Sequence, residues 1–112
     1  MLLNGGQFNG IRLLSPRTIE WMATNHIGDL QILSSEPPGV RFGLGVGVVA
    51  DPSGFPAPVN VGTYYWGGAL GTFFWIDPEE QLIGIVMAQV RPYRHLEYRY
   101  KFMALVYSSI VD

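Results

Sequence analysis

Hydrophobic positions in this sequence recur at two spacings, and the switches between them outline the elements. Residues 1–14 bring in a tight turn at Asn4-Gly5-Gly6 and then a short apolar stretch, Ile11 to Leu14. Ser15-Pro16 is a helix start: the serine caps, and proline suits the first helical position because its missing N–H is not needed there. The pattern predicts a helix over Pro16–Asn25, with Ile19, Met22 and Ala23 on one face and a stop between Asn25 and Gly28. From Phe42 to Val49, large apolar residues alternate with glycine at a period of two. That reads as one strand with a packed face and a bare face, and a bare glycine face lets another backbone come close.

Three further strands are predicted at Val61–Trp66, Thr72–Asp77 and Leu82–Val90. Short links between them suggest an antiparallel meander. From His95 onward the period becomes helical: Leu96, Tyr100, Met103, Val106, Tyr107 and Ile110 share a face, and Glu97 and Lys101 form an i, i+4 pair on the other side. The expected fold class is therefore α+β. One antiparallel sheet of about four strands is flanked by an N-terminal-side helix and a C-terminal helix, with the helices on one face of the sheet.

Composition narrows the function classes. A chain of 112 residues allows a single domain, and 48% apolar content with 14% charged residues is that of a folded core. A net charge of −2 argues against broad electrostatic binding to nucleic acid or to an anionic membrane. No apolar run reaches the roughly 18 residues of a membrane span. The opening Met1-Leu2-Leu3, followed at once by Asn4-Gly5-Gly6, reads as a chain cut into where a helix should precede it, with no leader peptide; it assigns no compartment. With no cysteine, disulfides and thiolate metal sites are absent.

Candidate chemistry is sparse. The two histidines, His26 and His95, stand in no metal-ligand spacing, so capping or surface roles are expected and no metal or cofactor is assigned. Arg91, Arg94, Arg99 and Lys101, interleaved with Tyr93, Tyr98 and Tyr100, read as the solvated face of the last helix, with a small phosphate-binding patch as the alternative. Asp77, Glu79 and Glu80 read as turn residues. Gly43, Gly45 and Gly47 lack the spacing and the strand-to-helix setting of a dinucleotide loop. The segment Trp66-Gly67-Gly68-Ala69-Leu70-Gly71-Thr72 is more informative, because small residues at a strand end let a backbone N–H face a ligand closely.

Taken in order, Asn4-Gly5-Gly6, Arg12-Leu13-Leu14-Ser15-Pro16-Arg17-Thr18, Asn25-His26 with Gly28-Asp29, Phe42-Gly43-Leu44-Gly45, Trp66-Gly67-Gly68-Ala69 with Gly71-Thr72, Trp75-Ile76-Asp77-Pro78 and Leu105-Val106-Tyr107 resemble the serine β-lactamase-related hydrolases, the class C-like esterases and penicillin-binding-protein relatives. The resemblance covers nearly the whole chain and implies the C-terminal part of a larger catalytic domain. In that family an upstream S-x-x-K helix start supplies the nucleophile and its lysine, and a Y-x-N loop supplies a further tyrosine. Trp66-Gly67-Gly68 matches the third motif in the W-G-G form found among esterase-like members. By the resemblance, the Ala69 backbone N–H would be one of two oxyanion donors. Tryptophan at the lysine position removes the cation that would hold a β-lactam carboxylate, which points to an esterase-like parent.

The chain departs from the family where the reacting groups should be. Its only lysine, Lys101, has Tyr98 three residues before it, and none of its six tyrosines has asparagine two positions later. The serines at 15, 34, 35, 53, 108 and 109 lack the flanking glycines of a nucleophile elbow. No complete catalytic set is present, and an oxyanion donor alone cannot perform acyl transfer. The leading expectation is a single partial domain, residues 1–112, that is the C-terminal segment of such a hydrolase and is inactive alone. Small-molecule esters or amides would be its substrates once completed. Two alternatives remain: one half of a split hydrolase, or a stand-alone self-associating or ligand-binding module in which the aromatics from Tyr64 and Tyr65 onward line a ligand site. Apolar surface left by a cut edge predicts a dimer, through the glycine face or the Leu96/Tyr100/Met103 helix face.

Overall fold

The computed structural model describes residues 1–111. A short ribbon, β1 Gln7–Phe8 and β2 Ile11–Arg12, precedes helix α1, Pro16–Met22. Then come β3 Val40–Phe42, β4 Gly47–Val49, β5 Tyr64–Gly67, β6 Phe73–Asp77 and β7 Leu82–Val86. A 3₁₀ turn at Arg94–Leu96 leads into helix α2, Tyr98–Ser108. Strands β3 to β7 form one antiparallel sheet in chain order, so the α+β class and the meander hold.

The sheet has five strands because the glycine-alternating segment is two strands and a turn. Gly43 N–H donates to Val46 O at 2.8 Å, Gly45 takes φ +86°, and Phe42 pairs with Gly47 across the hairpin. A side chain on Gly43 would overlap the Met22 carbonyl, to which Leu44 N–H donates at 2.9 Å. The glycine thus admits a neighbouring backbone, the end of α1, but in a turn rather than on a flat face. The last predicted strand stops at Val86, since Val90 N–H leaves the ladder and donates to Leu70 O at 2.8 Å.

Helix α1 starts as its sequence dictates: Ser15 Oγ accepts from Thr18 N–H at 3.0 Å, with Pro16 opening the first turn. It ends at Met22, short of Asn25, because the following residues turn back: the His26 ring donates to Trp21 O at 2.7 Å and its backbone N–H to Phe42 O at 2.9 Å. His26 therefore ties the helix end to the sheet.

Strand alternation separates two cores. Tyr65, Phe73 and Trp75 pack with Val40 and Val49 beneath Met103 and Tyr107 of α2. Val48, Tyr64 and Ile76 face the other way, beneath Leu2, Leu3 and Ala23 at the end of α1. The helices therefore lie on opposite faces of the sheet, correcting the expectation of a single helical face. Gly84 pairs with Trp75, and a side chain there would overlap the indole. Phe102 of α2 meets the same ring edge-on at 5.8 Å.

The exposed apolar surface is also displaced from where it was expected. Met103 is fully buried and Tyr100 half-buried, so most of the Leu96/Tyr100/Met103 face is core, and of the three only Leu96, in the turn before α2, is exposed. Ile83, Ile85 and Met87 on and just past the edge strand β7 are exposed instead, together with Phe102 and Leu105 on the flank of α2.

Candidate functional site

The end of β5 carries Trp66 and Gly67 into a hairpin, Gly68-Ala69-Leu70-Gly71, that returns as β6. Gly68 N–H donates to Thr72 O at 2.8 Å and Gly71 N–H to Gly68 O at 3.1 Å, closing the turn. The first turn of α2 comes down over it. Arg99 Nη2 donates to Gly68 O at 2.7 Å and Thr72 O at 2.8 Å, its Nε donates to Gly71 O at 3.4 Å, and Tyr98 Oη donates to Gly71 O. The guanidinium itself lies 3.7 Å from the Tyr93 ring centroid and 5.5 Å from that of Phe73.

This contact explains the glycines. An ideal Cβ on Gly67 would stand 2.6 Å from Arg99 Nη1, one on Gly71 would overlap Tyr98 Oη, and one on Gly68 would overlap Thr72 Oγ1. Gly71 also takes φ +100°, which L side chains rarely adopt. Ala69 is exposed at the tip of this braced turn, and its N–H donates to no acceptor among the described residues. Leu70, the other central residue of the turn, is likewise exposed with its N–H unpaired among the described residues, so the hairpin presents two free backbone donors, of which Ala69 N–H directly follows Trp66-Gly67-Gly68.

Beside it runs a cleft of about 530 Å³ lined by Glu36, Tyr93, Arg94, Tyr100 and Lys101. It continues into a smaller recess that reaches Tyr65, Trp66 and Gly67. Glu36 Oε2 accepts from Tyr65 Oη at 2.8 Å and from Tyr100 Oη at 3.4 Å. Burial, reinforced by Tyr100 and Glu36, pushes the Tyr65 phenol far above its ordinary range; burial and Glu36 push Tyr100 up to about 12. Both hydroxyls stay protonated at neutral pH and act as donors. Neither is a base.

Of the residues singled out in the sequence, Trp66 is half-buried and meets Phe42 edge-on at 4.9 Å, while Gly67, Gly68 and Ala69 form the braced strand end. Tyr64 is buried in the core beneath Leu2 and Leu3, and Tyr65 reaches the cleft only through its hydroxyl. Ser15 caps α1, Ser108 and Ser109 donate to carbonyls of their own helix, and Ser35 lines the cleft beside Glu36. Among the described residues no serine side chain hydrogen-bonds to histidine, lysine or tyrosine.

Two residues gained importance in the structure. Arg99, read as part of a solvated face, is instead half-buried and spends Nε and Nη2 on the hairpin. Its signal in the sequence was the run of closely spaced glycines at 67, 68 and 71, which implies that something approaches them. Glu36, in a proline-flanked loop, had no signal.

Comparison with known proteins places this geometry in context. No protein-family model matches the chain. Over 100 residues, 82% of the chain, it is 37% identical to Protein Rv1367c of Mycobacterium tuberculosis (strain ATCC 25618 / H37Rv). The same figures hold for Uncharacterized protein MT1414 of Mycobacterium tuberculosis (strain CDC 1551 / Oshkosh). The chain spans about a quarter of the length of these curated relatives, 25% of each. Among solved structures it is similar to EstCE1, a hydrolase with promiscuous acyltransferase activity, with a TM-score of 0.71 and 25% identity over 91% of this chain and 25% of that one. The fold is thus hydrolase-like, and it matches one quarter of the EstCE1 chain.

Proposed function

We propose that this chain is the pocket-wall segment of a serine esterase of the β-lactamase-related kind, and that it does not turn over substrate alone. The observation that carries this reading is the free Ala69 N–H, held on a braced hairpin directly after Trp66-Gly67-Gly68. A preorganised backbone donor of this sort stabilises the oxygen that gains charge when an ester carbonyl is attacked. The likeness to EstCE1 supports a hydrolase as the parent. The nucleophile and its base would come from an S-x-x-K element on the remaining part of such an enzyme. The open edge of β7, with Ile83, Ile85 and Met87 exposed, is where we place the seam to that part. Small esters or amides are the proposed substrates.

A second reading rests on the Glu36 cleft: a stand-alone module, self-associating or binding a small ligand between Tyr93, Arg94 and Tyr100. One experiment separates the two. Hydrolysis of p-nitrophenyl acetate and butyrate is measured for the purified chain, with its mass in solution, and again after mixing with EstCE1 shortened by its matching quarter. No turnover alone and turnover on mixing is the expected result. Turnover by the chain alone, abolished by phosphonate labelling of one serine, would overturn the proposal. Silence in both assays, with a melting temperature raised by an apolar carboxylate, favours the module.

A further inference from the structure

The structure assigns Arg99 a positioning role: it aims and polarises the Ala69 N–H by gripping the other end of the same peptide group. This inference rests on reading the Trp66–Ala69 strand end as an oxyanion wall.

The Gly68 carbonyl and the Ala69 N–H belong to one peptide unit, which is planar, with its oxygen and hydrogen on opposite sides when trans. Fixing the oxygen therefore fixes the direction of the hydrogen. Arg99 Nη2 lies 2.7 Å from that oxygen, and Gly71 N–H approaches it at 3.1 Å, so two donors pin it. One of those donors carries a full positive charge. A charge-assisted hydrogen bond draws electron density toward the carbonyl oxygen, and the linked N–H becomes the stronger donor, as in any polarised hydrogen-bond chain.

The arginine is itself held in place. Nη2 also reaches Thr72 O at 2.8 Å and Nε reaches Gly71 O at 3.4 Å, and Tyr93 stacks on the guanidinium plane. Among the described residues it forms no ion pair with a carboxylate, so its charge is directed into the peptide groups of the hairpin. Lysine carries the same charge but lacks the planar fork that reaches several carbonyls at once. The arrangement therefore predicts that charge alone will not replace Arg99.

The test reads the Ala69 amide directly by proton–nitrogen correlation spectroscopy of the whole chain, in the native sequence and in Arg99→Lys, Arg99→Gln and Tyr93→Leu. Tyr93→Leu removes the stack but leaves every group that hydrogen-bonds to the hairpin, so it keeps the question answerable if an Arg99 variant fails to fold. Loss of polarisation should move the Ala69 proton upfield, most in Arg99→Gln, less in Arg99→Lys and least in Tyr93→Leu, while amides of α1 stay in place. An Ala69 signal unchanged in a folded Arg99 variant, or unchanged in Tyr93→Leu where neither Arg99 variant folds, would overturn the inference. So would an equal displacement across the whole spectrum. In the enzyme reconstituted with shortened EstCE1, Arg99→Lys should lower kcat on the order of 10-fold with little change in KM. If reconstitution gives no esterase, the proposed function fails while the amide shifts still judge the role of Arg99. If esterase activity is present and Arg99→Lys leaves kcat intact, the positioning role alone fails.

Discussion

Helix α2 is fastened to the sheet at both ends, and the two fastenings use opposite chemistry. At its first turn a cation, Arg99, grips the carbonyls of the β5–β6 hairpin. At its last turn a phenol, Tyr107, donates to a buried carboxylate, Asp77, at the start of the β6–β7 turn. Asp77 also accepts from Asn60 Nδ2 at 3.0 Å and from the N–H groups of Glu79 and Glu80 at 3.0 and 3.2 Å. Burial on its own would raise the Asp77 pKa, but the donors from Tyr107, Glu80 and Asn60 together hold it below its ordinary 3.8. Burial, with the Asp77 hydrogen bond added, pushes the Tyr107 phenol upward.

The Asp77 end surrounds its carboxylate with donors and is buried. The Arg99 end ties Nε and Nη2 of the arginine to the hairpin and leaves the N–H groups of the exposed Ala69 and Leu70 unpaired among the described residues. A closed network of this kind contributes stability, whereas a braced network with a spare donor is equipped to meet a ligand. The distinction lies in what remains unpaired, not in which residue types are used.

The largest effect should come from the closed end. Asp77→Ala strands Tyr107 and two backbone donors and leaves Asn60 only Glu80, and should cost roughly 3 kcal/mol in urea unfolding. The same group sets an acid limit. Because the folded-state pKa of Asp77 is depressed, its contribution is complete above the unfolded value near 3.8 and is lost as pH falls through the folded value. Urea midpoints taken from pH 6 down to pH 2.5 should drop in the native chain, and drop less in Asp77→Asn. Equal slopes would mean that the carboxylate network is not what closes this end.

The braced end should show an intermediate effect. Gly71→Ala must place a side chain at φ +100° against Tyr98 Oη, and is expected to lose about 1–2 kcal/mol. Unlike Asp77→Ala, it should also displace the Ala69 amide signal. A normal Ala69 signal in a destabilised Gly71→Ala would break the comparison, since both ends would then be merely structural. The smallest effect belongs to the surface of the same helix. Lys101 and Glu97 pair at 3.0 Å with both side chains more than two-thirds exposed, 69% and 68%. Glu97→Gln should change the melting free energy by no more than about 0.5 kcal/mol, with Ala69 unmoved.

Local signals carried much of the fold. Ser15-Pro16 starts α1 and the alternation in 64–86 lays out β5 to β7, because capping and period-two burial are decided by near neighbours. The Glu97–Lys101 pair follows from helical spacing alone. The ribbon β1–β2 was not foreseen, although Asn9-Gly10, both at positive φ, is the pairing that a two-residue hairpin turn favours. The β3–β4 hairpin was hidden because glycine at every second position fits a strand face as well as a turn.

The site was legible only in outline. Trp66 to Ala69 could be marked from their glycines, but what approaches them lies far along the chain, Arg99 being 31 residues from Gly68. Glu36 meets Tyr65 across 29 residues and Tyr100 across 64, distances over which no periodicity speaks. Long-range partners of this kind are fixed by the meander and by the direction of α2, not by any local pattern.

The indole of Trp75, seated on Gly84, has a consequence of its own. Trp75 is wholly buried with its Nε1 unpartnered, Trp66 is half-buried, and Trp21 is 61% exposed beside His26. The three rings thus sample three depths, on both faces and at the rim. Intrinsic fluorescence should resolve into a red-emitting fraction quenched by iodide, from Trp21, and a blue, protected fraction from Trp75. A partner that covers the groove Trp66 shares with Ile85 and Met87 would leave the first nearly untouched and shield Trp66, giving an optical record of assembly without any label.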